Sequence, residues 1–174
     1  SSESGLIPLS QELEQTRRYL TIEKARFGDD RIIESEHVSE GIGKLLVPSF
    51  VIQPIVENAV RHAMRDAGPL SIDVHAVIDG DDVLIAVADD GLGMTEEAAQ
   101  RLLGSGGDDA APTPVGSGRN RGAGMALKNV MERIERFYDP GSGVEVVSRP
   151  GEGTCVTLRL CGAATELAAI AEED

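Results

Sequence analysis

Apolar residues Leu13, Leu20 and Phe27 recur at a heptad-like spacing through an otherwise polar stretch. This predicts a helix over residues 10–27 with Ser10 as its N-cap. Gly28-Asp29-Asp30 stops it, and residues 31–38 read as a short strand with mixed faces. A second helical pattern covers residues 49–65, closed by Gly68-Pro69. On it, Ile52, Ile55, Ala59 and Ala63 form an apolar stripe, and Asn58, Arg61, His62 and Arg65 form a polar one.

The period then changes to that of a β-hairpin. Residues 70–78 and 83–88 flank Asp79-Gly80-Asp81-Asp82, a turn rich in residues that tolerate positive φ. The second strand is apolar on both faces, Val83, Ile85 and Val87 against Leu84, Ala86 and Ala88, which predicts a central place in the sheet. Thr95 is the expected cap of a helix ending at Leu103. Residues 104–121, rich in glycine and without an apolar period, predict a long functional loop. The helical period returns over 124–138, with Leu127, Val130, Met131, Ile134 and Phe137 on one side. Residues 144–149 and 154–160 form a last hairpin about Pro150-Gly151-Glu152-Gly153, and 163–174 read as a frayed or weakly helical tail. Strands gather in one layer and helices in the other, so the expected class is α+β, a two-layer sandwich.

Composition narrows the function. With 174 residues, 41% of them hydrophobic, the chain can bury one proper core and is too short for two. No apolar run approaches the ~20 residues that span a bilayer, and residues 1–5 carry no export signal, so a cytoplasmic segment is expected, of a parent that a membrane sensor could anchor. Cys155 and Cys161 on one strand are held ~20 Å apart, beyond disulfide reach. A formal net charge of −14 argues against broad contact with nucleic acid or anionic lipid. One small polyanion remains compatible with it, if its site supplies positive charge, backbone amides and a metal ion.

Four constellations suit such a ligand. The amide of Asn58 can ligate Mg²⁺, and Arg61 and His62 can approach phosphates from the same helical stripe. Asp89-Asp90-Gly91-Leu92-Gly93-Met94 follows a buried strand, where a carboxylate can accept a hydrogen bond from an exocyclic amine. There, two glycines let the backbone pass close to a base. Gly122-Ala123-Gly124-Met125 opens an amphipathic helix whose N–H groups favour phosphate. Gly151-Glu152-Gly153-Thr154 leads into the last strand. Alone, each is also what a solvated helix face, a strand-ending turn or a loop would give. Neither a P-loop nor a dinucleotide-binding fingerprint occurs.

Taken in order, the four resemble the ATPase superfamily of gyrase, heat-shock chaperones, histidine kinases and mismatch-repair proteins. The resemblance implies the Bergerat fold, a mixed and mostly antiparallel sheet covered on one face by helices. It implies Asn58 as Mg²⁺ ligand and Asp89 as reader of adenine, with Met94 beside it, and Thr154 assisting at the base. Gly91 and Gly93 belong to a first glycine box, Gly122 and Gly124 to a second that Arg121 and Met125 flank, and residues 95–121 become an ATP lid. Arg119 and Arg121 are its candidate phosphate contacts.

The wording around these motifs is similar to LytS-like sensor histidine kinases. It includes Arg18-Tyr19-Leu20-Thr21-Ile22-Glu23-Lys24-Ala25-Arg26-Phe27-Gly28-Asp29, then Val47-Pro48, then Gln53-Pro54-Ile55-Val56-Glu57-Asn58-Ala59-Val60-Arg61-His62. Met125-Ala126-Leu127-Lys128-Asn129-Val130-Met131-Glu132-Arg133 continues it. Where the water-activating branches place a glutamate, this chain has Pro54, so the resemblance implies transfer to a protein rather than to water. Glu57, at the edge of the polar stripe, is the carboxylate available near the transfer. The implied reaction passes the ATP γ-phosphate to a histidine on a helix outside this segment, with Asn58, Glu57, Arg61 and His62 around the transfer. The implied partners are ATP, that phosphoacceptor helix and a response regulator. Of the other two histidines, His75 reads as a surface strand residue and His37 as a strand end near Glu34 and Glu36. The organisation expected is a linking helix over 1–28, the kinase domain over 29–162 and a tail over 163–174. Two other readings stand beside it: a serine protein kinase of the anti-sigma-factor type, and a degenerate module that has lost catalysis.

Overall fold

The computed structural model describes residues 5–104 and 118–173, and the side chains of 118–125 lie outside that description. Its centre is a five-stranded sheet built from β2 (Ile32–Val38), β4 (Leu70–Asp79), β5 (Asp82–Asp89), β6 (Gly143–Arg149) and β7 (Gly153–Leu160). The strand order is β2-β4-β5-β7-β6, with β2 parallel to β4 and the remaining pairs antiparallel. The expected mixed sandwich is what forms. A second sheet of β1 (Leu6–Pro8) with β3 (Leu46–Pro48) was not foreseen, because three-residue strands are too short to show a period.

Alternation decides which face is covered. Leu70, Ile72, Val74 and Ala76 of β4, Val83, Ile85 and Val87 of β5, and Val156, Leu158 and Leu160 of β7 are all buried. The helices α1 (Leu9–Phe27), α2 (Gln53–His62) and α4 (Gly118–Phe137) supply the facing side of the same core through Leu9, Leu13, Leu20, Ile55, Ala59, Leu127, Val130 and Ile134. β5 is central, as its composition predicted. Its other face, Leu84, Ala86 and Ala88, is only half-buried, so apolarity there does not signal a second helical layer.

Several boundaries differ from the sequence reading. Helix α1 begins at Leu9, the residue before it is Pro8, and Ser10 lies inside the first turn without capping it. Phe27 stands exposed at its far end, where Gly28 at φ +111 ends the helix. Helix α2 is shorter than the 49–65 pattern, and its entry is set from outside. The carboxylate of Glu12, fully buried on α1, accepts the backbone N–H groups of Phe50, Val51, Ile52 and Gln53 at 3.0, 3.1, 3.1 and 3.3 Å. The Ile52 and Gln53 groups belong to the start of α2 and the other two to the turn that leads into it, and a charge there also complements the helix dipole. The backbone of 50–52 is turned toward that carboxylate, with Phe50 at φ 61, so it cannot extend the helix. From α4, Arg133 donates to the carbonyls of Phe50 (3.0 Å) and Ser49, clamping the same segment from the other side.

Helix α3 (Glu96–Leu102) carries the predicted cap: Thr95 Oγ1 accepts the Ala98 N–H at 3.2 Å. Helix α4 starts at Gly118, earlier than the predicted Gly124. Of the frayed or weakly helical tail expected over 163–174, the described residues are helical. Residues Ala163–Glu173 form α5, with Ala163 and Leu167 buried in the common core and Ala164 N–H bonded to Asp81 O at 2.9 Å.

Candidate functional site

Sheet register creates one polar row at an end of the helix-covered face. Asp89, the last residue of β5, stands opposite Ile72 on β4 and opposite Thr154 on β7, and Thr154 stands opposite Ser148 on β6. Since alternate residues share a face, Asp89 lies on the side of Ile85 and Val87, Thr154 on that of Val156, and Ser148 on that of Val146.

A short hydrogen-bond network holds the row. Asp89 Oδ1 accepts the Gly91 N–H at 2.9 Å. Ser148 Oγ lies 2.7 Å from Thr154 Oγ1 and donates to Gly153 O at 2.9 Å, while accepting the Met94 N–H at 2.9 Å. Burial pushes the Asp89 carboxyl above the usual carboxylate range, against the pull of the Gly91 and Thr154 backbone N–H groups and with a small push from Asp90. A carboxylate short of water is a strong acceptor for any amine that reaches it.

The turn after Asp89 is packed by backbone rather than by side chains. A Cβ on Gly91 would lie 2.2 Å from the Ala63 carbonyl oxygen at the end of α2, and one on Gly93 (φ +66) would lie 1.9 Å from Arg149 O. Leu92 N–H bonds Ala63 O at 2.9 Å, and Gly151 N–H bonds Leu92 O at 2.7 Å. These glycines are therefore required by contacts within the protein, a reason distinct from the passage of a base along them. Arg65, placed on the polar stripe by the sequence pattern, lies beyond α2 and is committed elsewhere. Its Nη2 donates to Asp90 O (3.3 Å), Gly91 O (3.1 Å) and Gly151 O (2.9 Å), fastening this turn to the β6–β7 turn.

Helix α2 carries the other half of the expected constellation. Asn58 is half-buried, and its Nδ2 is a fully buried polar atom that finds no hydrogen-bond partner among the described residues. An orphan of this kind costs about 1–3 kcal/mol unless something satisfies it, so it marks a place for a ligand. Arg61 is exposed on the next turn and His62 is half-buried beside it. Glu57 accepts Gln53 Nε2 at 3.0 Å. It also sits with Arg61 near Tyr19 of α1, whose phenol is raised to about 12 by burial, then by Glu23 and Glu57, against Arg61 and Arg26.

Gly122 and Gly124, expected to open the helix, lie within the first two turns of α4, which starts earlier, at Gly118. The side chains of Arg119, Arg121 and Met125 lie outside the described residues, as does 105–117 of the expected lid. Sequence reasoning missed Ser148, Arg65's clasp, Glu12, and Asp90, whose Oδ1 accepts the Ser71 N–H at 2.8 Å. Only Glu12 carried a local signal, a charge set among the helical positions of Leu9, Leu13 and Thr16.

Residues 46–163 match the family described as histidine kinase-, DNA gyrase B-, and HSP90-like ATPase. Sensor protein LytS of Bacillus anthracis is 33% identical over 154 residues, 88% of this chain and 24% of that protein. Sensor histidine kinase YesM of Bacillus subtilis is 26% identical over 156 residues, 89% of this chain and again 24% of the relative. The chain thus spans 24% of the length of these curated relatives. Among solved structures, the catalytic domain of histidine kinase ThkA aligns with a TM-score of 0.62 at 12% identity, covering 92% of this chain and 97% of that one. The histidine kinase domain of the blue-light activated histidine kinase from Erythrobacter litoralis EL346 gives 0.59 at 16%, covering 95% and 65%. At such identities the likeness shows the fold.

Proposed function

Because this chain belongs to the histidine kinase-, DNA gyrase B-, and HSP90-like ATPase family, we propose that it is the ATP-binding catalytic domain of a sensor histidine kinase. In this reading it hands the γ-phosphoryl group to a histidine carried outside the segment, and the phosphate then passes to a response regulator. The observation that carries it is the Asp89–Thr154–Ser148 row together with the buried amide nitrogen of Asn58, which has no partner among the described residues. The similarity to LytS and YesM sensor proteins selects the histidine kinase branch.

Each residue has a task. Asp89 accepts a hydrogen bond from the exocyclic amine of adenine, and the Thr154 and Ser148 hydroxyls, already bonded to each other at 2.7 Å, extend the polar row beside it. Asn58 faces the phosphates. Its orphaned amide fits Mg²⁺, because a half-turn about the Cβ–Cγ bond exchanges nitrogen for an oxygen ligand. When bound, that ion supplies charge neutralisation for the transferred group. Arg61 and His62 follow on the same helix, and the first turn of α4 leaves backbone N–H groups free for an anion. With Pro54 one turn before Asn58, α2 carries no base there to activate water, and positioning toward a protein acceptor is the remaining route. The segment acts in the cytoplasm in this reading. No described helix is long and apolar enough to cross a membrane.

The test uses the full-length protein with γ-labelled ATP and Mg²⁺. The expected label is stable in alkali and lost in acid, as a phosphohistidine is, and Asn58→Ala in the same protein reduces it to background. A label with the opposite stability would identify a serine or threonine acceptor and overturn the histidine assignment.

A further inference from the structure

The open face of the sheet holds a second cluster, unrelated to the nucleotide row. Strands β2 and β4 run parallel with Ser35 opposite Asp73 and His37 opposite His75. By strand alternation Asp73 and His75 lie on the face opposite the buried Ile72, Val74 and Ala76. The two imidazoles stack with centroids 4.8 Å apart and planes 26° from parallel. His37 Nε2 lies 3.8 Å from Asp73 Oδ1, and His75 Nε2 is in hydrogen-bonding contact with Asp73 Oδ2. One donor atom from each of the three residues lies within 4.8 Å of the other two.

We propose that His37, Asp73 and His75 form a binding site for a divalent transition-metal cation, with Zn²⁺ the best match. Two imidazole nitrogens and one carboxylate oxygen are the ligand set that prefers such ions over Mg²⁺ or Ca²⁺. A tetrahedral Zn²⁺ with bonds of about 2.0–2.2 Å sets its donors roughly 3.3 Å apart, so the three side chains, whose donor atoms lie within 4.8 Å of one another, draw closer on the ion. The support around the ligands is already built. Ser35 Oγ donates to Asp73 Oδ1 at 2.8 Å and fixes the carboxylate, as outer-shell partners of metal ligands do. No lysine or arginine pairs with Asp73 among the described residues. The nearby Glu36 is engaged by Arg17 at 2.9 Å, on the other side of the strand. The histidines are 65% and 43% exposed, leaving the fourth position to water or to a group from another molecule. A simple histidine–aspartate hydrogen bond explains one imidazole, but not a second whose Nε2 converges on the same carboxylate. The site stands back to back with the nucleotide row, since Asp73 pairs with Ala88 and Ile72 with Asp89, so it does not depend on that row's function.

The test begins with Cys155→Ser and Cys161→Ser in the same chain, since Cys155 lies on the same open face and thiols would compete. Titration with Co²⁺, followed by its visible absorption and then by calorimetric displacement with Zn²⁺, is expected to show one equivalent bound in a low-coordinate site. His75→Gln and Asp73→Asn should each weaken binding by at least about 10- to 100-fold, and Ser35→Ala by about 10-fold. Asp89→Asn should leave metal affinity unchanged, which separates this result from the fate of the nucleotide reading. Circular dichroism establishes that each variant is folded. Absence of binding by the folded parent, or undiminished affinity in His37→Gln/His75→Gln, overturns the proposal.

Discussion

Asp89→Asn is expected to remove measurable affinity for a non-hydrolysable ATP analogue with Mg²⁺ in calorimetric titration, a loss on the order of 100-fold or more. A charged acceptor, whose hydrogen bond is worth about 1.5–3 kcal/mol, is exchanged for a neutral one worth about 0.5–1.5 kcal/mol. The asparagine that keeps its oxygen on the Gly91 and Thr154 N–H groups also turns an NH₂ donor toward the amine donor of the base. Folding should survive. Burial raises the Asp89 pKa in the folded state, so its ionised form opposes folding above that range and the opposition fades as pH falls. A neutral amide removes the opposition, and a melting temperature at neutral pH equal to or above that of the parent is expected. In the parent, affinity should decline on acidification at a pH above the ordinary aspartate range, because the raised carboxyl protonates early. Undiminished binding by a folded Asp89→Asn protein would remove Asp89 from the base site.

Glu12→Ala is expected to cost about 3–5 kcal/mol of folding stability, the range seen when one partner of a buried charged arrangement is removed. Four N–H groups at 3.0–3.3 Å lose a fully buried, charged acceptor, and those of Val51 and Ile52 are themselves buried. The helix they open is α2, so the loss also loosens Asn58. Glu12→Gln keeps the shape and one acceptor oxygen but turns a donor toward donors, and should fall between parent and Glu12→Ala. Urea unfolding reads both as a shift in midpoint at constant slope. A change within about 0.5 kcal/mol, the ordinary range for surface substitutions, would contradict the capping role.

What the sequence reveals and what it conceals divide along contact range. The apolar run from Val83 to Ala88 signals a central strand, and the period of Leu127, Val130 and Ile134 signals a buried helical side, because each is decided within one element. Asp89 and Thr154 were legible because a strand end beside glycine turns is a local pattern. The face and adjacency of Asp89, Thr154 and Ser148 come from register across three strands, which no local pattern contains. Arg65 reads as helical by period, yet the helix has closed before it and its guanidinium serves three carbonyls from two other turns. Glu12 caps a helix far along the chain, and the two histidines meet only because β2 and β4 pair in parallel. In α5 the weak contrast between the faces of an alanine-rich segment hid its anchorage by Ala163 and Leu167.

The central claim, that an adenine nucleotide occupies the helix-covered end of the sheet at Asp89, is most directly tested by two-dimensional amide NMR of the chain titrated with the same ATP analogue and Mg²⁺. Saturable shifts are expected at Asp89 to Met94, at Gly153 and Thr154, and along α2 around Asn58, with the His37–Asp73–His75 face unmoved. No saturable shift, or shifts centred on the open face of the sheet, would contradict it.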